Sequence, residues 1–263
     1  MFRYFRARED YQIFGPQGGI SSSLVLPIHF NPEVDKCPIV VLMHGFLSKK
    51  ELYPLPAIAE QLAKVGIASI RFDFNAHGKS EGEFVNMTLS KEIADAKAVI
   101  KYAKSLPFVT DIALLGHSQG GVVAGMVAGE SENEPIRPSC ILLLSPASVL
   151  KDDAIAGQCM NVKYDALNPP EYVKVFFHKL GRQFILEAQK MPIYETSAKY
   201  TGRVCIIHGD KDTIVPLSYG EHYHKIFPSS EFHILEGEGH LLNNKKSLLI
   251  STIVHFLKNN LNL

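Results

Sequence analysis

The stretch GHSQG, residues 116–120, places a serine between two glycines where an apolar run ends and a helical pattern begins. In a G-x-S-x-G turn the chain passes sharply from a strand into a helix, and the serine hydroxyl projects above the sheet edge. Glycines are expected at both ends because side chains there would collide in so tight a turn. The motif predicts that Ser118 is a nucleophile for acyl transfer; the alternative is a glycine-rich turn with an incidental serine.

A serine hydroxyl is a weak nucleophile unless a base takes its proton and a third group orients that base. Of the 11 histidines, His240 is favoured as the base because it lies in the loop between the last predicted strand and the last predicted helix. Asp212 is favoured as the orienting acid over Asp210, which more simply shapes its own turn. The chain order serine, aspartate, histidine, each after a predicted strand, is the order expected for such a nucleophile turn.

Acyl transfer also needs hydrogen-bond donors for the charge that develops on the carbonyl oxygen. The tripeptide HGF follows the first predicted parallel strand, and the N–H of its Phe46 is expected to converge with the N–H of Gln119 at a helix N-terminus. These two amides form the predicted oxyanion hole, in which one donor is worth roughly 10²–10³ in rate. His44, Asp73 and His77 are interpreted as structural side chains that brace neighbouring loops.

The fold must bring these side chains together at one site. From residue 39 onward, short β-branched runs alternate with helical periodicity, which predicts a mostly parallel sheet flanked by helices on both faces. Antiparallel edge strands are predicted within the first 38 residues. The predicted parallel strands span 39–44, 68–74, 112–116, 140–145, 203–209 and 231–236.

The alternation breaks once, between residues 149 and 191, where charged residues, Pro-Pro and aromatics occur without a predicted strand. The segment is predicted to be an inserted lid or cap after the sixth strand, at the sheet edge where open α/β sheets keep their sites. Residues 1–148 and 192–263 then form the core. The alternative is a pair of ordinary surface helices, because FFHKLGRQFILEA is amphipathic.

Composition limits the classes of partner. The 263 residues, 46% of them hydrophobic, predict a soluble α/β protein. Lys plus Arg and Asp plus Glu number 27 each, which argues against nucleic acid or an anionic membrane as partner. No run approaches the ~20 apolar residues of a membrane span. The N-terminal MFRYFRARED lacks the apolar region of a signal peptide, so a cytoplasmic protein is predicted; a homodimer stays open.

The four cysteines show neither metal-site nor disulfide-framework spacing and are interpreted as reduced packing residues. The chemistry proposed for Ser118 requires neither a metal ion nor a cofactor. The residues therefore predict a cofactor-independent enzyme that acts on a small-molecule ester.

The motifs HGF, GHSQGG, HGDKDTIVP and GEGH in series resemble the α/β-hydrolase family, over essentially the whole chain from residue 37. RFDFNAHGKSEG, GHSQGGVVAGMVAG, SPASVLKDDAIAG and MPIYETSAKYTGRVCIIHGDKD are similar to stretches of bacterial cinnamoyl and feruloyl esterases. The resemblance implies a catalytic triad of Ser118, Asp212 and His240 and oxyanion donors at Phe46 and Gln119. It also implies a small insertion whose polar groups meet the phenolic hydroxyl of the substrate.

Three positions in the insertion match the substrate-binding positions of that family. Asp153 matches an acidic position near the hydroxyl of the aromatic ring, whereas Met160 and Phe184 stand where relatives can carry a glutamine and a tyrosine. A more apolar cavity favours unsubstituted or aliphatic acyl groups, because a buried hydroxyl without a partner costs binding energy.

The function expected from these residues and this resemblance is hydrolysis of hydroxycinnamate (feruloyl or cinnamoyl) esters through an acyl-enzyme. An esterase of short-chain aliphatic or monoacylglycerol esters is the nearest alternative, and a non-catalytic binding module on a hydrolase scaffold is the alternative of another class. A peptidase is less favoured because no second substrate-gating domain is predicted. A dehalogenase or epoxide hydrolase is disfavoured because such relatives carry Asp at the position of Ser118.

Overall fold

A computed structural model describes residues 8–263 of the chain. The expectation about the N-terminal leader falls largely on residues 1–7 and so lies outside the described residues. The strands are β1 (Arg8–Gly15), β2 (Gly18–Val25), β3 (Cys37–Met43), β4 (Ala68–Phe72), β5 (Val109–His117), β6 (Cys140–Leu144), β7 (Gln158–Cys159), β8 (Val162–Lys163), β9 (Tyr172–Val175), β10 (His178–Gly181), β11 (Arg203–Gly209) and β12 (Ser230–Leu235). The helices are α1 (Leu55–Lys64), α2 (Leu89–Ser105), α3 (Gln119–Glu130), α4 (Val149–Ala156), α5 (Arg182–Lys190), α6 (Ile193–Ser197), α7 (Leu217–Ile226) and α8 (Lys246–Asn260).

Eight strands form one sheet in the order β1-β2-β4-β3-β5-β6-β11-β12. The hairpin of β1 and β2 pairs antiparallel with β4, and every other neighbouring pair is parallel. The predictions of a mostly parallel sheet and of antiparallel strands in the first 38 residues are therefore confirmed. The carboxyl ends of the parallel strands meet along one edge, where the site is built.

The sheet is apolar on both faces because helices cover both. Along β3, Ile39 and Val41 belong to a core cluster with α2 and α3, whereas Val40 and Leu42 belong to a second cluster with α1 and α8. Successive side chains of a strand point to opposite faces. This double coverage accounts for the continuous apolar runs.

The expectation of an insertion without strands is wrong. Two antiparallel ribbons, β7–β8 and β9–β10, lie within residues 149–191. Their strands have two to four residues each, too short for a period-two pattern to stand out, although Val173 and Val175 are indeed buried between more exposed neighbours. The FFHK segment, which would be helical under the alternative of two surface helices, forms the turn and the start of β10, and α5 begins only after it.

The insertion has its own apolar cluster and packs over the core loops. Val173, Val175, Leu180, Phe184 and Ile185 are buried together. Partly buried aromatic and aliphatic side chains from loops of the core pack against this cluster, namely Phe46, Leu47, Ala76 and Phe84. The insertion is thereby held above the carboxyl edge of the sheet.

Within residues 8–263, no helix combines the length and the apolarity that crossing a membrane requires. The same part of the chain contains no group of three or more His, Cys, Asp or Glu side chains arranged to hold a metal ion. The four cysteines are unpaired thiols: three are buried in the core, and Cys159 is half-buried within the insertion.

Candidate active site

Ser118 lies between the last residue of β5 and the first residue of α3. Its backbone angles are φ 58° and ψ −123°, a region that non-glycine residues occupy only where the surrounding structure holds them. The Ser118 N–H donates to Leu144 O at 2.8 Å, and its carbonyl accepts from Gly121 N at 2.9 Å. The side chain is consequently held above the sheet edge while the residue remains 8% exposed.

Glycines make this turn sterically possible. A Cβ atom on Gly116 would lie 2.0 Å from the Gly120 carbonyl oxygen. A Cβ atom on Gly45 would lie 2.8 Å from the Cβ of Ser118. A larger residue at 116 would open the turn itself, and a larger residue at 45 would push the loop after β3 away from the turn.

Ser118, His240 and Asp212 come together from the ends of three strands. His240 Nε2 lies 2.9 Å from Ser118 Oγ, and His240 Nδ1 lies 2.8 Å from Asp212 Oδ2. Because a carboxylate only accepts, Nδ1 carries the imidazole proton and Nε2 is free to accept the serine proton. The three expected residues thus form a continuous hydrogen-bonded chain.

The Asp212 side chain is fully buried, yet it is kept ionised by its donors. The backbone N–H groups of Ile214 and Val215 donate to Oδ1 at 2.9 and 2.8 Å. Burial alone would raise the pKa of Asp212, but the hydrogen bonds from His208 and His240 outweigh it and hold that pKa well below its usual range. Asp210, the alternative acid, instead accepts from the Gly237 N–H at 2.6 Å and shapes the loop.

His208 is a partner of the site that the sequence did not reveal. Its Nε2 lies 2.9 Å from Val215 O and 3.3 Å from Asp212 Oδ2, and its side chain is fully buried. Since a carbonyl only accepts, Nε2 carries a proton and points it at both oxygens. His208 lies within a strand, and only the fold shows that its side chain turns towards the Asp212 loop.

His117 positions the loop that carries His240. Its Nε2 donates to the backbone carbonyl of His240 at 2.9 Å, and the two rings lie 5.0 Å apart. Burial, with the neighbouring His240, lowers the pKa of His117 to about 4. His117 is therefore a neutral donor that positions the His240 loop. Nothing but its place next to Ser118 distinguishes it in the sequence.

The expected oxyanion donors, Phe46 and Gln119, line the same cavity beside Ser118. Among the backbone hydrogen bonds of the described residues, none uses the N–H of either one, as expected at the first position of a helix and in an open loop. The Gln119 side chain is fixed from below, since its Nε2 donates to Glu92 Oε2 at 2.7 Å. Burial, and secondarily the nearby Asp95, raises the pKa of Glu92 to about 8.

The loop that carries Phe46 is braced by a neutral histidine and a buried ion pair. Phe74 N donates to His44 Nε2 at 3.1 Å, and His44 Nδ1 then donates to Gly45 O at 2.8 Å. Asp73 accepts from Lys50 N at 2.7 Å and from Lys50 Nζ at 3.1 Å. These contacts agree with a structural role for His44 and Asp73.

His77 likewise faces the structure around it. Its Nδ1 lies 3.1 Å from Asn75 O, and its ring packs on Phe84 at 5.1 Å between centroids. Burial lowers the pKa of His77 to about 4, so it remains neutral at physiological pH. These contacts support the structural interpretation of His77.

A cavity of about 600 Å³ opens beside Ser118 under the insertion, and is called the first cavity below. Asp153, Met160 and Phe184 all line it. Phe184 also stacks on Phe46, with 6.1 Å between ring centroids, so that the insertion contacts the loop after β3. The three expected substrate-binding residues therefore face one space.

The same cavity has further polar residues that were not expected, among them Gln158 and Tyr164. Gln158 Nε2 donates to Asp153 Oδ1 at 2.7 Å, and Tyr164 OH donates to Gln158 O at 3.0 Å. Both residues line the first cavity. The polar groups missing at 160 and 184 are thus partly replaced from other positions, which a residue-by-residue resemblance does not reveal.

This geometry can carry out acyl transfer. A hydroxyl is within reach of an unprotonated imidazole nitrogen, the imidazole is oriented by a buried carboxylate, and two unpaired amides lie beside a cavity. These are the parts that nucleophile activation and oxyanion stabilisation require.

A family model described as "Serine aminopeptidase, S33" (Hydrolase_4) matches residues 35–170, more than half of the chain. The chain belongs to this family. The structure of Est1E from Butyrivibrio proteoclasticus with ferulic acid bound is similar at a TM-score of 0.89 and 29% sequence identity, covering 95% of this chain and 98% of that one. The resemblance to α/β-hydrolases drawn from the motifs is confirmed, and the chain is a serine hydrolase of the esterase and lipase type.

Two curated relatives are more distant. The monoacylglycerol lipase of Mycolicibacterium smegmatis is 25% identical over 217 residues, covering 72% of this chain and 75% of that protein. The mitochondrial palmitoyl-protein thioesterase ABHD10 of Mus musculus is 26% identical over 184 residues, covering 69% of this chain and 61% of that protein. By name, both act on acyl groups.

Proposed function

We propose that the protein is a carboxylesterase that hydrolyses hydroxycinnamate esters, of the feruloyl and cinnamoyl class, through an acyl-enzyme. The observation that carries this proposal is the similarity, over nearly the full length of both chains, to a structure that holds ferulic acid. The first cavity adds support, because its volume of about 600 Å³ suits a ligand of this size.

The proposed reaction follows from the hydrogen-bonded chain. Ser118 Oγ attacks the ester carbonyl while its proton moves to His240 Nε2, and the N–H groups of Phe46 and Gln119 stabilise the oxyanion. His240 then protonates the leaving alcohol and later takes a proton from the water that attacks the acyl-enzyme. Asp212 keeps the imidazole in the required tautomer throughout.

The acyl group is proposed to lie in the first cavity with its phenolic hydroxyl directed at Asp153. Gln158 donates to one oxygen of that carboxylate, which leaves the other oxygen to accept from the substrate. Met160 and Phe184 supply apolar surface for the ring. A substrate whose hydroxyl finds a hydrogen-bond partner in the cavity is preferred, whereas a substrate whose hydroxyl is buried without a partner is disfavoured.

Residues 149–191 are proposed to cap this cavity as a lid. The insertion supplies part of the cavity wall, and it is joined to the core by the bond from Tyr219 OH to Asp152 Oδ2, 2.7 Å long. A second contact runs from the backbone N–H of Ser90 in the core to Glu187 Oε1 in the insertion at 2.6 Å. Few polar contacts of this kind would need to break for the segment to move.

Hydrolysis of aliphatic or monoacylglycerol esters is the second candidate. It is favoured by the monoacylglycerol lipase relative and by the apolar side chains of Leu150, Met160, Leu180 and Phe184 in the first cavity. An alkyl chain would gain from burial there without needing a polar partner.

A substrate panel tests the proposal. The kcat/KM values for methyl cinnamate, methyl p-coumarate and methyl ferulate are compared with those for methyl butanoate and for alanine p-nitroanilide, with Ser118→Ala as the blank. We expect the hydroxycinnamates to be the better substrates and the blank to be inactive. A higher kcat/KM for methyl butanoate supports the second candidate, and comparable activity in the blank contradicts the mechanism. Absence of labelling at Ser118 by a fluorophosphonate would favour a non-catalytic binding module.

A further inference from the structure

A second cavity, of about 440 Å³, lies on the other side of Ser118. The two cavities meet at Ser118, and Phe46, Met160, Phe176 and Ile214 line both. Among the described residues, His240 lines only the second cavity and Gln119 only the first. The nucleophile therefore stands between two different compartments.

The position of His240 tells which half of an ester each cavity takes. In acyl transfer the leaving oxygen must receive a proton from the imidazole that accepted the serine proton. Proton transfer requires hydrogen-bond distance, so the alcohol must lie on the side of His240 Nε2. The acyl group then extends to the other side, under the insertion. The second cavity is thus placed for the alcohol half of the substrate.

The wall of the second cavity is mostly apolar. Leu47, Phe176, Phe177, Ile214 and Leu241 line it. Two of its polar groups are already engaged, since Tyr53 OH donates to Leu242 O at 2.8 Å and His117 donates to His240 O at 2.9 Å. The ring of His178 packs on that of Phe84, with 4.7 Å between centroids. Apart from Ser118 and His240, the polar side-chain groups of this wall left to meet the hydroxyls of a sugar or a glycerol are the Ser48 hydroxyl and the His178 ring nitrogens.

The turn between β9 and β10 points to the same chemistry. Val175 pairs with His178, so Phe176 and Phe177 form a two-residue hairpin turn. Phe176 has φ 52°, and such turns favour Asn or Gly rather than a bulky side chain. Phe176 is 69% exposed and Phe177 is fully exposed. Neither ring is placed to stabilise the fold, but both border the cavity beside the nucleophile.

We infer that the second cavity binds the alcohol portion of the ester and selects an apolar alkyl or aryl alcohol over a polyhydroxylated one. This inference rests on the proposed function, because it names the alcohol class for the same serine esterase reaction. It adds that the insertion contributes to the selection of both halves of the substrate. α4, α5 and most of the β7–β8 ribbon line the acyl side, Phe177 and His178 of the β9–β10 ribbon line the alcohol side, and Met160 and Phe176 border both.

The test uses two esters of the same acid whose alcohols differ only by methyl for hydroxyl. The 2-methylbutyl group is the isostere of the 2,3-dihydroxypropyl group, and both are primary alcohols. Esters of cinnamic acid and of butanoic acid are prepared with each alcohol, and kcat/KM is divided by the rate of alkaline hydrolysis. We expect the 2-methylbutyl ester to be favoured by about tenfold or more in whichever acid series is cleaved.

A second measurement tests alcohol binding in the second cavity by letting an added alcohol react with the acyl-enzyme. Added 2-methyl-1-butanol attacks the acyl carbon, gives its proton to His240 and releases Ser118, so that ester forms instead of acid. The ratio of ester to acid then reports how well the alcohol is held. Phe177→Ala, which removes a fully exposed ring, is expected to lower this ratio several-fold, whereas Leu167→Ala, an equally exposed change in the insertion away from both cavities, is expected to leave it unchanged.

The outcomes separate this inference from the proposed function. Cleavage of either acid series without a preference for 2-methylbutyl, or with a preference for 2,3-dihydroxypropyl, overturns the inference while leaving the esterase intact. An equal ester-to-acid ratio in Phe177→Ala and wild type also overturns it. Failure to cleave any of the four esters, with no labelling of Ser118 by a fluorophosphonate, overturns the proposed function and the inference with it.

Discussion

The floor and the roof of the site are stabilised in different ways. The floor is the set of loops after β5, β11 and β12, where Ser118, Asp212 and His240 each have hydrogen-bond partners from the core. The roof is the insertion, residues 149–191, whose side chains facing the first cavity are mainly apolar. Positions in the floor are fixed mainly by directional bonds. Apart from the hydrogen bonds that join Asp153, Gln158 and Tyr164, roof positions are fixed mainly by packing, so the reaction type is more tightly specified than the substrate.

The largest expected effect comes from the floor. Replacing Asp212 with Asn should lower kcat by about 10⁴, because an amide no longer imposes the required imidazole tautomer. The measurement is kcat for the best ester of the panel. Asp210→Asn is the matched control, since Asp210 bonds to the Gly237 N–H and not to the imidazole. A similar loss in both variants would show that loop structure, and not the orientation of His240, is being measured.

A substitution in the roof is expected to have a smaller effect, which changes the selectivity between substrates and not the overall rate. Met160→Gln places an amide in the wall of the first cavity, and should raise the ratio of kcat/KM for methyl p-coumarate over methyl cinnamate by about tenfold, because the phenolic hydroxyl gains a partner. Met160→Leu, at the same positive φ of 54°, should leave the ratio as in wild type. If Gln and Leu give the same ratio, residue 160 does not contact the ring.

The same contrast explains what the sequence could predict. Ser118 and Asp212 follow strands whose apolar runs are continuous, because both faces of the sheet are covered there, and so their common edge is predictable. His240 follows the partly buried edge strand β12 and is predictable from its place between the last strand and the last helix. His208 and His117 could not be assigned, because their roles depend on which way a buried ring turns at the end of its strand. The resemblance suggested three residues of the roof, but Gln158 and Tyr164 reach the first cavity only through ribbons too short to leave a pattern.

Glu92, the buried acid that accepts a hydrogen bond from the Gln119 side chain, allows the floor to be tested through the free energy of unfolding. Burial raises the pKa of Glu92 from 4.5 to about 8. A folded-state pKa above the unfolded value means that its contribution to stability is complete below about pH 4.5 and is lost as the pH rises towards 8. Glu92→Gln removes this loss. The free energy of unfolding of the variant, minus that of wild type, should therefore increase across this range by up to about 1.4 kcal/mol per pH unit.

Denaturant unfolding at pH 5, 6, 7 and 8 measures this difference. Glu33→Gln, an exposed change of the same charge in the loop before β3, serves as the control and should show no such trend. A constant difference between Glu92→Gln and wild type over the whole range would contradict a protonated Glu92 beneath Gln119.

The smallest effect concerns the joint between roof and floor. Tyr219→Phe removes the 2.7 Å bond from the core helix α7 to Asp152 in α4. A partly exposed hydrogen bond contributes about 0.5–1 kcal/mol, so the melting temperature should change little, while limited proteolysis within residues 149–191 should become several-fold faster if the insertion opens. Tyr172→Phe, which alters a tyrosine within the β9–β10 ribbon, should leave the cleavage rate unchanged. Equal cleavage of Tyr219→Phe and wild type would mean that apolar packing on Phe46 and Phe84, and not this bond, keeps the roof closed.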